Sequence, residues 1–513
     1  MAEKTKKKNT VLFIFLSLIC FSFQQAVAQS GSLTVTTRVT EEVADDFKPE
    51  GRIFLFVSES RMAQPWRNSW PAPGNMIFAT NLKNWKLEEP FTFDATTELS
   101  KSVEVSLNQI PEGSYTIQVF WAQNREVSGL NTPGNLYSES VRIDLPENRE
   151  LDLPLKFKTE PEKLASHPLL KKVDVISPVL SEWWGKEVRI KAAVLLPAQF
   201  LESPDKKFPV RYNIAGYGGR YTRANSLVQW NRNFMDWWQS EEAPQIITVF
   251  LDGYGPFGDS YQLDSENSGP YGTALVEELI PLIETQYRGL GTPESRFLDG
   301  CSTGGWVSLA LQLFYPDFFG GCFSYSPDPV DFENFQLINI YRDQNAFVNE
   351  YGYLRPIVRE LSGEPVISQK DFIQFENVLG WNNAYTTSGG QFSAFTALYS
   401  PKGEDGLPKP LFHPQTGKID HEVAEHWRKY DLKHFTKTNW ETLGPKIQGK
   451  IWIWMGDMDE FYLNPALRAF DQLLQQLDNP KPDAVIQFSP MTGHCKGYNH
   501  REVLIQIGEK LKR

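Results

Sequence analysis

Ser302, Asp459 and His494 are the side chains of this sequence best suited to acyl transfer. A serine hydroxyl is a weak nucleophile until an imidazole takes its proton, and the imidazole needs a carboxylate behind it to fix its tautomer. Ser302 sits in Gly300-Cys301-Ser302-Thr303-Gly304-Gly305. Small neighbours let a chain turn sharply and expose the hydroxyl. Such a serine is often an ordinary glycine turn, but a strand is predicted before it and a helix after it. His494 lies in Thr492-Gly493-His494-Cys495. His500 is the rival base, expected to be solvated in the closing helix. Asp459 is the expected acid, with Asp457 its competitor in Gly456-Asp457-Met458-Asp459. The loser of that pair reads as a turn-capping aspartate, and Asp328 and Asp331 are further stand-ins.

An oxyanion on the attacked carbonyl needs two N–H donors. One is expected from Thr303, the residue after the nucleophile. The other is expected from Tyr217 in Ala215-Gly216-Tyr217-Gly218-Gly219, with Gly218 as the alternative. Cys301 and Cys495 flank the serine and the histidine. Neighbouring Cα atoms are about 3.8 Å apart, so a meeting of Ser302 and His494 brings the cysteines toward the roughly 5.5–6 Å span of a disulfide. A Cys301–Cys495 bond is expected, with buried thiols as the alternative. Cys322 is left free in a strand. Metal ligation is not indicated: His421 and His426 are five apart, off the spacing that aligns two ligands on a helix face. No cofactor is implied.

These residues need elements to carry them. Short apolar runs followed by helices or glycine turns predict a mostly parallel sheet after residue 170. Strands are expected over 172–180, 187–196, 210–215, 246–251, 321–325, 450–455 and 484–488, and Phe297-Leu298 leads into the serine turn. Helices are expected over 271–287, 307–315 and 499–512. The order Ser, Asp, His is that of α/β-hydrolase triads. The insertion at about 331–448 is too long to be a plain loop and reads as a lid or cap. Residues 29–156 read as an all-β, Ig-like sandwich. Alternation marks strands around Leu33, Val35 and Val39, then 103–107, 115–119, 141–145 and 151–155. Trp66 to Phe93 breaks that pattern with six aromatics, which either pack under a long loop or face a sugar. The charged stretch within 157–169 reads as a linker to a catalytic domain at 170–513.

Lys4, Lys6, Lys7 and Lys8, an apolar run from Val11 to Phe23, and Ala26-Val27-Ala28 read as a secretory leader over residues 1–28. That run is short for a membrane span, and Ile19 before Cys20 is a poor lipoprotein signal. An exported chain, periplasmic or extracellular, is expected. The whole chain carries a net charge of −12. Without the leader, which holds four Lys and one Glu, it carries about −15. That balance disfavours nucleic acid, whose phosphates call for a basic patch.

The Cys301-Ser302 … Asp459 … His494-Cys495 pattern resembles the tannase and fungal-type feruloyl esterase family, in which the two cysteines form a disulfide beside the triad. The scaffold is similar to the esterase D and enterochelin esterase-like family. Asn267-Ser268-Gly269-Pro270-Tyr271, Val276-Glu277-Glu278-Leu279-Ile280-Pro281 and the serine turn carry that likeness. It covers about 170–325 and 450–512. Ala215 stands where many relatives carry a histidine, and Trp306 where the tannase group carries an arginine, so that group's substrate contacts do not transfer. The resemblance implies a serine carboxylic-ester hydrolase acting on acetyl or feruloyl esters, glycan-linked ones among them. A siderophore triester esterase, a catalytically silent glycan-binding protein and a peptidase of the same fold are the other readings.

Overall fold

The computed structural model describes residues 32–68, 70–72 and 74–512. The expected leader, residues 1–28, lies outside them. Eight strands form the central sheet: β1 (Leu170–Ile176), β2 (Arg189–Leu195), β3 (Val210–Ile214), β4 (Ile247–Leu251), β5 (Arg296–Cys301), β6 (Gly321–Tyr325), β7 (Ile451–Gly456) and β8 (Val485–Ser489). Their spatial order is β1-β2-β4-β3-β5-β6-β7-β8. β2 runs antiparallel to β1 and β4, and every pair from β4 to β8 is parallel. This is the α/β-hydrolase sheet. β3 to β6 are wholly buried, and polar members such as Arg211, Asn213 and Asp299 find their partners inside the sheet.

Helix α1 (Thr303–Phe314) leaves the sheet directly after Ser302. A Cβ on Gly304 would lie 2.3 Å from the Ile214 carbonyl oxygen, and one on Gly305 2.3 Å from that of Tyr325. Only glycine lets α1 pack this tightly between the ends of β3 and β6. Two helices of the segment between β6 and β7 matter for the site: α2 (Gln369–Leu379) and α3 (Gln391–Tyr399). The chain closes with α4 (His500–Lys510).

Residues 34–158 form two further sheets. Phe91–Phe93, Thr34–Thr37 and Glu150–Asp152 make the smaller one. The larger one is antiparallel and centres on Gly51–Ser58, flanked by Asn75–Leu82 and Gly113–Ala122. Val35 and Phe93 of the first share a core with Ile53, Leu55, Val119 and Trp121 of the second.

Several sequence expectations need correction here. Residues 103–107 do not form a strand; the paired residues are Ser100–Lys101. The run expected over 151–155 is divided into Glu150–Asp152 and Leu155–Lys158, and the latter takes up the start of the expected linker. The strand expected over 172–180 stops at Ile176, because Ser177 caps a short helix, Pro178–Trp184. Gly51–Ser58 and Asn75–Leu82 escaped the periodicity reading altogether. All of Gly51–Ser58 is buried, so nothing alternates. One face meets the core just described. The other, with Phe54, Phe56, Ile77 and Ala79, packs on Phe375 and Val378 of α2. Arg52 adds a hydrogen bond from Nε to the Val378 carbonyl at 2.9 Å. Within 66–93, Trp66, Phe78, Trp85 and Phe93 are buried, whereas Trp70 is exposed.

Candidate active site

Ser302 stands at the C-terminal end of β5 with φ 62° and ψ −128°. A side chain rarely adopts this region, and the conformation is strained. Its N–H donates to the Tyr325 carbonyl at 3.0 Å, and its own carbonyl accepts from Trp306 at 3.0 Å. The turn is thereby held from both sides. The Ser302 hydroxyl makes no hydrogen bond to a described residue, and Ser302 borders a cavity of about 130 Å³.

The loop after β7 carries Asp459, and the loop after β8 carries His494. His494 Nδ1 and Asp459 Oδ2 are 2.7 Å apart. Asp459 is fully buried, and its Oδ1 accepts from the Phe461 and Leu463 amides at 3.0 and 3.3 Å. Those amides fix the carboxylate before the imidazole arrives. Asp457 faces away and pairs with Arg468. Burial alone would lower the His494 pKa. The Asp459 charge and hydrogen bond, with Asp328 and Glu460 behind them, outweigh burial and raise it. The Glu460 side chain also accepts the His494 amide.

Cys301 and Cys495 form a disulfide with a Cα separation of 5.9 Å. One 3.8 Å Cα step from each end keeps the Cα atoms of Ser302 and His494 within about 13.5 Å of each other. Cys322 is a free, buried thiol in β6, its pKa pushed up to about 12 by burial. A second anchor lies behind the turn. Arg211 of β3 and Asp299 of β5 are fully buried and paired at 2.6 Å. Tyr498, from the His494 loop, donates to Asp299 at 2.8 Å. His500 Nδ1 is 2.9 Å from Arg211 Nη2. His500 is therefore half-buried rather than solvated, and burial followed by the Arg211 and Arg223 charges drives its pKa well down. The sequence signals for this network were Arg211 and Asp299, charges inside β3 and β5.

The loop 215–219 lies against the serine turn. A Cβ on Gly216 would be 3.6 Å from Ser302 Cβ and 3.3 Å from the Cys301 carbonyl oxygen. Neither the Tyr217 nor the Thr303 N–H has an acceptor among the described residues. A hydroxyl, an imidazole–carboxylate pair and two amides without acceptors among the described residues thus lie on neighbouring loops, two of them joined by the disulfide. That set can move a proton from a hydroxyl to an imidazole and stabilise an oxyanion beside it.

Asp328, weighed in sequence as a substitute acid, makes no hydrogen bond to His494 and lines the cavity beside Ser302 instead. Its Oδ2 accepts from Tyr261 at 2.8 Å and from Thr303 Oγ1 at 2.9 Å. Burial raises its pKa to about 6. Asp331 pairs with Lys433 at 2.9 Å. Aromatic rings from three parts of the chain line the cavity beside Ser302: Trp70, Phe372, Phe392 and Phe461 among them. Phe461 lies 4.9 Å from the His494 ring and 5.9 Å from Trp70, centroid to centroid. The polar lining is Asp328, Gln336, Glu376 and Gln391, and burial raises Glu376 to about 7. Trp70 belongs to the aromatic-rich stretch singled out in the sequence, whereas Gln336 belongs to no motif and had no sequence signal. Among the described residues, no group of three or more His, Cys, Asp or Glu could hold a metal ion.

A family model described as "Putative esterase" matches residues 186–503. No curated protein matches the sequence. Among solved structures, a ferulic acid esterase is 16% identical with a TM-score of 0.37, over 67% of this chain and 97% of that one. An S-formylglutathione hydrolase from Agrobacterium tumefaciens is 13% identical with a TM-score of 0.36, over 67% and 93%. The fluorophosphonate-binding serine hydrolase F of Staphylococcus aureus is 12% identical with a TM-score of 0.39, over 67% and 98%.

Proposed function

This chain belongs to the Esterase family and is an esterase; we propose that it works through an acyl-enzyme on Ser302, with His494 as base and Asp459 as its carboxylate. Ser302 Oγ attacks the ester carbonyl while His494 Nε2 takes the proton. The Thr303 and Tyr217 amides stabilise the oxyanion. His494 then protonates the departing alcohol, and the acyl group stays on Ser302. Water, deprotonated by the same imidazole, releases the acid and restores the enzyme. The observation that carries this reading is the 2.7 Å His494–Asp459 contact on a loop tied by disulfide to the serine turn.

The proposed substrates are acetyl or feruloyl esters of polysaccharide. An engineered apolar cavity of about 150 Å³ holds one benzene, so a cavity of about 130 Å³ walled by aromatics suits an acetyl group or the aromatic ring of a feruloyl group. Its charged lining is Asp328 and Glu376, without Arg or Lys. That favours neutral acyl groups over an anionic ferric siderophore. The proposal includes a sandwich at 29–156, a linker at 157–169 and a catalytic domain at 170–513, with the segment at about 331–448 acting as its lid. It also includes export, supported by the leader-like start and by a disulfide, a bond that persists in oxidising compartments. No helix among the described residues is long and apolar enough to cross a membrane.

A fluorophosphonate probe should label Ser302 and no other residue, read by mass spectrometry of the labelled peptide. An unlabelled Ser302 in folded protein would overturn the reading. The pH profile gives a second check. Only neutral His494 accepts the serine proton, and its raised pKa keeps it protonated to higher pH than a free imidazole. Ester turnover should therefore fall as pH drops, with a midpoint above about 6.5. Asp459→Asn removes the raising charge. It should move that midpoint downward and lower kcat by about 10⁴-fold.

A further inference from the structure

A groove of about 920 Å³ runs between the N-terminal sheets and the Tyr217 loop, far more room than the cavity at Ser302 offers. Tyr217 and Leu379 border both spaces. The Tyr217 hydroxyl spans the boundary and donates to the Gly389 carbonyl at 2.8 Å. Its ring is 43% exposed. An ester whose acyl half fills the small cavity can send its alcohol half past Tyr217 into the groove.

We propose that this groove binds the alcohol half of the ester, and that its ligand is a neutral oligosaccharide chain. The inference rests on the esterase reading of Ser302 and names what lies on the other side of the scissile bond. The groove's volume is at the upper end for a ligand site, about 300–1,000 Å³. Its charges cancel. Arg67, Lys158, Lys191 and Arg220 face Glu160 and Glu162, while Asp46 and Asp252 pair with Lys158 and Arg220 at 2.8 Å. A polyanion gains nothing there, yet donors and acceptors for hydroxyl groups remain. Flat rings supply the rest, Tyr217 and Tyr254 from the catalytic side, while Trp66 borders the groove from the N-terminal side. Buried Trp66 keeps an indole N–H with no acceptor among the described residues, whereas buried donors of this kind are normally paired. Both halves of the chain build the groove, since the Tyr254 hydroxyl reaches Asn131 at 3.3 Å.

The test uses the full mature chain carrying Ser302→Ala, titrated with a neutral hexasaccharide of β-1,4-xylose and followed by calorimetry. Saturable binding is expected. Tyr254→Ala and, separately, Arg67→Ala should each weaken it about tenfold. In the otherwise native enzyme the same two substitutions should lower by about tenfold the ratio of kcat/KM on an acetylated xylo-oligosaccharide to that on p-nitrophenyl acetate. Arg67 is exposed, so its variant folds even if loss of the Tyr254 ring loosens the seam. Absence of saturable binding, or binding and ratio unmoved by both substitutions, overturns the proposal. A native enzyme inert toward p-nitrophenyl acetate counts against Ser302 chemistry instead, and the titration still decides the groove.

Discussion

Ser302→Ala is expected to lower kcat on p-nitrophenyl acetate by about 10⁴-fold or more, with the fold intact. The hydroxyl has no hydrogen-bond partner among the described residues, so its loss orphans no buried group. Alanine meets the same backbone strain at φ 62° that serine does. Stability should therefore change by no more than about 0.5 kcal/mol. His494→Ala should cost a comparable factor in kcat, and the double variant little more than either alone, because nucleophile and base act as one unit. Turnover by Ser302→Ala within about tenfold of the native rate would remove the serine from the mechanism.

Loss of the Cys301–Cys495 bond is expected to lower stability and turnover together. The cysteines are 194 residues apart in sequence. Chain-entropy arguments give a cross-link of that span about 5 kcal/mol, with about 2–5 observed for native bonds. Cys301→Ala/Cys495→Ala should lower the urea unfolding midpoint accordingly. It should also lower kcat more than it raises KM, by about 10–100-fold, because small misplacements of a base are costly. The loss should stay below that of Ser302→Ala, since Tyr498 still holds the histidine loop to Asp299. An unchanged midpoint together with unchanged kcat would mean that the bond neither stabilises nor positions.

What the sequence made legible follows from how each signal is generated. β4 was readable because a strand buried on both faces is a short apolar run between turns, and the glycines of the serine turn are forced by backbone contacts at 2.3 Å. The same double burial hid Gly51–Ser58, where no βα rhythm surrounds the run to identify it. Val103 to Leu107 alternates as a strand would, yet only Ser100–Lys101 finds a pairing partner. Periodicity reports which side chains face inward, not whether the backbone is paired. Trp70 and Asp328 reach the Ser302 cavity from distant segments. Their placement comes from tertiary packing, which leaves no local spacing to read.

The oily outer face of the front sheet, Phe54, Phe56, Ile77 and Ala79 against Phe375 and Val378, bears on how this enzyme can be cut or recombined. Residues 159–166 form no helix or strand, which makes them the tempting place to split the polypeptide. Severed there, the C-terminal part would show solvent a greasy flank and lose Trp70 from the wall of the cavity beside Ser302. The two halves are separable on paper but interlocked in space, so a transplanted front end must bring a matching patch or leave the enzyme prone to clump.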